Sequence, residues 1–195
     1  MMISVFQEGD YNILMSPRQK IDSSLYIALL AFFIDKPSHG YEIYKFLESE
    51  IAFFKIWLLK RSQFYSYLDR LYSEGFLSQQ IEEGTQYPDR RIFSITVFGK
   101  EKLEEWLISP VQHGREMRQD FLIKLYISQK FFPDEIPLLV NNQRNTCQQW
   151  IIGQETQLTM EKDQIQFFLI NYRKMQIQSM IDWLNLIEDN LKKIS

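Results

Sequence analysis

The hydrophobic period of this chain changes twice between Ser62 and Thr96, and that double change limits the folds open to it. Phe64, Leu68, Leu71 and Tyr72 fall at the +4, +3 and +1 offsets of one helical stripe. Ser62, Gln63, Ser66, Asp69 and Arg70 lie opposite, with Tyr65 and Tyr67 on the flanks. Ser62 is placed to accept a backbone N–H at the helix start, and Gly75 to take the left-handed conformation that ends it. From Phe76 the pattern is that of strands. Phe76–Glu83 and Arg90–Thr96 are two short runs, with Phe93 and Ile95 set against Arg91 and Ser94, and the turn-rich Gly84–Asp89 joins them as a hairpin. Thr96 then caps a helix to about Ile108, with Leu103, Trp106 and Leu107 inward, and Ser109-Pro110 stops it.

Upstream, residues 1–20 show no sustained period and read as a mobile arm. Asp22 or Ser23 caps a helix from about Ser24 to Ile34, so apolar that it must be buried. Asp35-Lys36-Pro37 ends it. Ser38 is expected to cap the next helix, His39 to about Glu48, with Tyr41, Tyr44 and Leu47 along one side and Ile43 beside them. Ile51–Leu59 reads as a packed connector or short helix anchored by Trp57. Three helices, a hairpin and a return helix assemble naturally as a winged helix-turn-helix over residues 21–110.

Residues 111–195 read as all-helical. Arg115–Phe132 carries Met117, Phe121, Leu122, Leu125 and Tyr126. Pro133 suits a first turn and opens a helix from Asp134 towards Met160. The last helix, about Gln164–Ile194, has one stripe of Ile165, Phe168, Tyr172 and Met175, and another of Met180, Leu184, Ile187, Leu191 and Ile194. Ile170, Ile177, Ile181 and Trp183 add apolar surface off those stripes. A helix apolar on several faces needs several neighbours, here an antiparallel partner in the chain and a second subunit. The expected homodimer seam is Phe121, Leu125, Tyr172, Met180, Trp183, Leu184, Ile187 and Leu191. The fold class is therefore mainly α with a small β-hairpin: a winged helix-turn-helix followed by a long-helix, coiled-coil-like dimerisation domain.

With 45% hydrophobic and 24% charged residues the chain should be globular. No apolar run approaches a membrane span, and the start MMISVFQEGDYN has no secretory pattern, so the expected compartment is the cytoplasm. Two histidines, His39 and His113, and a single cysteine, Cys147, leave too few soft ligands for a closed zinc site. No phosphate loop or nucleophile elbow is present, so neither an enzyme nor a cofactor is expected. Glu82–Glu83 and Glu104–Glu105 are solvated charge, Cys147 a half-buried helical thiol, and Trp106, Trp150 and Trp183 core. The net charge of −3 gives no global attraction for nucleic acid. Any such partner must meet local patches at Lys55, Lys60 and Arg61, at Arg70, and at Arg90–Arg91, with an acidic helical appendage masking a neutral or basic reading head in the total.

Four pieces occur in order: His39-Gly40-Tyr41-Glu42-Ile43; Phe64-Tyr65-x-x-Leu68-x-Arg70-Leu71 followed by Glu74-Gly75-Phe76-Leu77; Arg90-Arg91-x-Phe93-x-Ile95-Thr96-x-x-Gly99; and Asp120-Phe121-Leu122-x-Lys124-Leu125. By these the chain resembles the PadR family of bacterial winged-helix transcriptional regulators, including its longer members with a helical C-terminal dimerisation region. The likeness covers about residues 24–132, and the remainder more loosely. Ser62-Gln63 stands where the family often has Gly-Thr, and Ile92-Phe93 where it usually has Tyr-Tyr.

The resemblance implies that the helix at Ser62 enters the major groove of double-stranded DNA with its first residues on base edges. Gln63 would then pair with adenine, Arg61 or Arg70 with guanine or a phosphate, and Ser66 with either. Tyr41 and Tyr65 would anchor the backbone, with Lys60 and Ser62 beside them. Arg90 and Arg91 would touch phosphate or the minor groove. Asp69 would orient Arg70 or Lys60, or face solvent. A repressor working as a homodimer on a pseudo-palindrome, with a small hydrophobic or phenolic effector, completes the implied picture. The competing class is a winged-helix and coiled-coil module for protein docking.

Overall fold

The computed structural model describes residues 24–82, 90–160 and 163–194. The arm 1–20, the caps Asp22 and Ser23 and the turn 84–89 lie outside the described residues. The chain forms two compact units, one of them Asp22–Ser109 with Gln119–Ile136. Its spine is the apolar segment Ser24–Phe33, wound as a 3-10 helix with nine residues buried. Phe32 meets Phe53 and Phe131 edge-on, at 6.0 and 5.5 Å between ring centroids, and Phe33 meets Phe93 at 6.2 Å.

The expected hairpin is present, and a third strand joins it. Strand β1 (Ser38–His39) pairs antiparallel with β3 (Arg90–Ile95), whose other edge pairs with β2 (Leu77–Glu82). Ser38 therefore sits in a strand, its hydroxyl donating to the Lys36 carbonyl at 3.4 Å, and is not the expected cap. Helix α1 (Gly40–Ser49) follows His39 without a side-chain cap. Its buried stripe is Gly40, Ile43, Tyr44 and Leu47, so Tyr41 does not share the side of Tyr44 and Leu47 and is 56% exposed. Helix α2 (Ile51–Ile56) is the expected connector, and Trp57 behind it is buried.

Helix α3 (Arg61–Ser73) buries Phe64, Leu68 and Leu71. Tyr72, expected on that stripe, is 44% exposed. The helix starts one residue before Ser62, behind Lys60, which offers no side-chain cap bond, so Ser62 is not the cap either. The C-terminal end follows expectation. Gly75 has φ +77°, its N–H donates to Tyr72 O at 3.0 Å, and Phe76 N–H donates to Leu71 O at 2.9 Å, the paired bonds of a Schellman motif.

Helix α4 (Val97–Ile108) starts at Thr96 as expected, with Thr96 Oγ1 accepting from Gly99 N at 2.9 Å. A Cβ on Gly99 would come within 2.1 Å of the Phe76 carbonyl oxygen, so the turn after α3 and the start of α4 require a residue without one. A 3-10 turn, Gly114–Arg118, breaks the helix expected from Arg115, and α5 spans Asp120–Phe131. Its core residues are Ile123 and Ile127, with Leu122 and Leu125 only half-buried. Lys124 is buried between them. Its ammonium donates to Trp106 O at 2.5 Å, Ser109 O at 2.6 Å and Ser109 Oγ at 2.9 Å, satisfying orphan carbonyls at the end of α4.

The second unit contains 110–118 and the residues from 137 on. Helix α6 (Ile136–Met160) follows the Pro133–Glu135 turn, and α7 spans Gln164–Ile194, the expected bounds. Ion pairs of Arg144 with Glu188, and of Glu155 with Lys174 at 2.6 Å, set α6 and α7 antiparallel. The buried line of α6 runs through Leu139, Val140, Gln143 and Cys147, and that of α7 through Ile170, Ile177, Ile181 and Leu184. Cys147 is fully buried, not half-buried as expected, and burial pushes its thiol pKa up. Among the described residues no helix is long and apolar enough to cross a membrane.

Candidate nucleic-acid interface

Phe64, Leu68 and Leu71 fix the orientation of α3, and its outer face follows from their spacing. Arg61, Ser62, Ser66 and Asp69 are exposed, while Gln63, Tyr65, Tyr67 and Arg70 are half-buried on the flanks. Ser62, Ser66 and Asp69 recur at i, i+4 and i+7 and form one outward row. Gly40 lets α1 approach closely: a Cβ there would lie 3.0 Å from Leu68 Cδ1 and 3.2 Å from a Tyr65 ring carbon.

That approach sets Tyr41 beside the start of α3. The Arg61 guanidinium carbon lies 6.0 Å from the Tyr41 ring centroid and 5.9 Å from that of Tyr65, a cation held between two aromatic rings. Next to them opens a cleft of about 390 Å³, lined by Gly40, Tyr41, Tyr65, Phe93, Arg90 and Arg91. His39 and Glu42 complete the wall. The structure thus brings together Tyr41, Arg61, Tyr65, Arg90 and Arg91, with Lys60 and Ser62 at the same end of α3.

Other expected residues are engaged elsewhere. Gln63 Nε2 donates to the Tyr67 hydroxyl at 2.8 Å, one turn along the helix. Arg70 lies at the far end of α3, where its Nε donates to Glu74 Oε1 at 2.9 Å and its guanidinium stacks 4.0 Å over the Tyr26 ring. Tyr26 closes that triad by donating to Glu74 Oε2 at 2.7 Å. Asp69 pairs neither with Arg70 nor with Lys60: its Oδ1 accepts from Arg91 Nη1 at 2.7 Å, tying the helix to the wing. Behind this pair the Arg91 guanidinium lies 5.3 Å from the Phe93 ring. His39 joins the wing too, with Nδ1 3.3 Å from Arg91 O and Nε2 3.4 Å from Glu82 Oε2. Neither the Asp69 pairing nor the His39 pairing carried a signal in the sequence, because the partners come from β2 and β3 across the sheet.

Of the residues expected at the dimer seam, Phe121 and Leu184 are fully buried within one chain, and Tyr172 is 58% exposed. Leu125, Met180, Trp183, Ile187 and Leu191 are half-buried. The outward apolar row of α7 is Ile165, Phe168, Tyr172 and Met175, all exposed.

Residues 29–105 match the family model of the transcriptional regulator PadR-like family. The negative transcriptional regulator PadR of Bacillus subtilis is 31% identical over 88 residues, 45% of this chain and 47% of that protein, so the chain spans about half the length of the curated relative it matches. Among solved structures, B. subtilis PadR in complex with operator DNA aligns over 85% of this chain and 97% of its own, at 19% identity and a TM-score of 0.43. The same protein in complex with p-coumaric acid aligns over 84% and 95%, at 20% identity and a TM-score of 0.38. Residues 29–105, which hold the second half of the 3-10 spine, the helix-turn-helix and the wing strands, are thus similar to the PadR-like family of transcriptional regulators.

Proposed function

We propose that the chain is a sequence-specific DNA-binding repressor that grips a pseudo-palindromic operator as a homodimer. The observation that carries this reading is the cationic and aromatic face at the start of α3, with Arg61 between Tyr41 and Tyr65 beside the wing arginines Arg90 and Arg91. Arg61, Ser62, Gln63 and Ser66 would meet base edges in the major groove, Lys60, Tyr41 and Tyr65 the phosphate backbone, and Arg90 of the wing the flanking groove. Arg70 is left out of this set, because Glu74 and Tyr26 hold it at the other end of the helix. The name of the B. subtilis relative, a negative regulator, supports repression. The exposed row Ile165–Phe168–Tyr172–Met175 supports a second copy as the partner of α7. Control by a small hydrophobic or phenolic ligand belongs to the same reading.

The test is fluorescence anisotropy of a labelled duplex from upstream of the protein's own gene, with a scrambled duplex of equal length as reference. Tight binding to the first alone supports the reading, and release on adding a phenolic acid supports the effector. Failure to bind any duplex at low salt would favour the docking module instead.

A further inference from the structure

Asp69 is an acidic side chain on the row that the proposed function turns towards DNA, where it would repel phosphate. It is neutralised from the wing. A single Arg91 nitrogen meets a single Asp69 oxygen at 2.7 Å, so the guanidinium retains further N–H donors, and the Phe93 ring 5.3 Å away backs its face. The Arg91 backbone is fixed as well, paired with Ile81 across the sheet and bonded through its carbonyl to His39. Side-chain exposures of 42% for Arg91 and 57% for Asp69 leave the outer edge of the pair open.

We propose that Asp69 positions Arg91 as a base-reading residue, and that Arg91 takes a guanine edge in the operator rather than a phosphate. The inference rests on the DNA-binding reading above and assigns one contact within it. A guanidinium paired with a carboxylate has lost most of its attraction for an anion, and a phosphate brought up to Arg91 would also meet Asp69. The O6 and N7 of guanine are uncharged acceptors and pay no such repulsion, while the fork of donors still fits them. Asp69 stands two turns along the same row as Ser62, so an arginine clamped to it is carried by the reading helix as well as by the wing. By register His39 and Glu82 stand opposite Ile92 and Arg90, on the other face of the sheet from Arg91 and Phe93, so it is Arg91 that the Asp69 pair aligns with the outward row.

The experiment measures affinity against salt concentration for a duplex selected from randomised DNA by the wild-type protein, and for a scrambled duplex. Arg91→Ala should lower affinity for the selected duplex by about 5- to 140-fold per half-site, change the scrambled duplex little, and leave the salt slope unmoved. The loss should disappear when one G·C pair per half-site is replaced. Asp69→Asn keeps the shape and frees the charge of Arg91. It should steepen the salt slope by about 0.9 on both duplexes and reduce the ratio of selected to scrambled affinity. If Arg91→Ala flattens the slope by about 0.9 and weakens both duplexes alike, Arg91 holds phosphate and the proposal is overturned. If Asp69→Asn shifts both affinities equally with no change of slope, Asp69 is only a structural tie, which also overturns it. Absence of wild-type binding to any duplex would instead remove the DNA-binding reading itself.

Discussion

Replacing Gln63 by Ala should cost the operator complex far more than it costs the fold. The Gln63 side chain is half-buried on the flank of α3, and its one described bond is Nε2 to the Tyr67 hydroxyl at 2.8 Å. A neutral, partly solvated hydrogen bond contributes about 0.5–1.5 kcal/mol, and the lower end applies here because water can replace the lost donor. Tyr67 keeps its place without Gln63, since its ring also meets Trp57 and Tyr26, each at 5.9 Å between centroids. Against this, a bidentate contact to adenine carries about 1–3 kcal/mol of discrimination, roughly 5- to 140-fold per half-site. The carboxamide has the groups for both tasks, because one N–H serves Tyr67 and leaves the second N–H and the carbonyl.

Tyr67→Phe is the companion perturbation. It keeps the ring against Trp57 and Tyr26 and removes only the acceptor that orients Gln63. Ordering a free glutamine on the DNA then costs about 0.5–1.5 kcal/mol, so the selected duplex should bind about 2- to 12-fold more weakly. In the Gln63→Ala background the same change should cost nothing further. Denaturant melts of the four proteins give the folding side, and anisotropy on selected and scrambled duplexes the binding side. Equal losses on both duplexes would make Gln63 a backbone contact. Full additivity of the two substitutions would refute the orienting role of Tyr67.

Three further outcomes are expected. Gly99→Ala should destabilise the first unit by about 1–3 kcal/mol or more in denaturant melts, since the new methyl meets the Phe76 carbonyl at 2.1 Å; a neutral result would mean the turn after Gly75 yields freely. Tyr172→Asp with Met175→Asp should give monomer or aggregate by light scattering, because a stable dimer must cover about 800 Å² per partner and the exposed row of α7 is the apolar surface proposed for it; an unchanged dimer would move the seam elsewhere. Glu50 accepts from the Tyr126 hydroxyl and pairs with Lys130 at 3.1 Å, which hold its carboxyl below the usual carboxylate range against the opposing effect of burial. Its contribution is present above the ordinary carboxylate pKa of about 4.3 and is lost as pH falls through the lowered folded value, so Tyr126→Phe should reduce the stability lost between pH 6 and pH 3.

Legibility in the sequence followed the length of the repeating pattern. Helix α7 was bounded at both ends because its apolar positions recur over eight turns, and Thr96 and Gly75 announced themselves by chemistry special to caps and turns. Strand β1 was invisible, since two residues cannot display a period of two, and its loss moved Ser38 from strand to cap. Ser62 has the side-chain chemistry of a cap, yet α3 starts behind Lys60 without any side-chain cap. On α7 the spacing of apolar residues marks stripes but does not encode which side α6 covers. The buried line is Ile170, Ile177, Ile181 and Leu184, of which only Leu184 lies on a stripe visible in the sequence. Within the interface the sequence supplied the residues of α3 and the wing and missed their mutual pairing, because Asp69 and Arg91 stand 22 positions apart and meet only once the sheet has formed.

The acidic total finds its physical meaning in those pairings. The surplus of acid does not sit in the helical appendage, as expected from sequence: residues 1–110 hold 12 Lys and Arg against 15 Asp and Glu, and residues 111–195 hold ten of each. The head that would meet DNA carries the whole excess. Two of its acids are spent beside its cations, Asp69 on Arg91 and Glu74 on Arg70. Charges matched in this way project little field beyond a Debye length, so those pairs contribute little to long-range steering. The salt slope should be smaller than a count of nearby basic residues suggests, because a guanidinium already paired with a carboxylate adds little to the counterions released. Discrimination then has to come from short-range geometry: which donors of Arg61, Gln63 and Arg91 find acceptors once the helix is seated. A regulator arranged this way gains selectivity by weakening its grip on arbitrary DNA, and a net-negative head is an expected consequence of that arrangement.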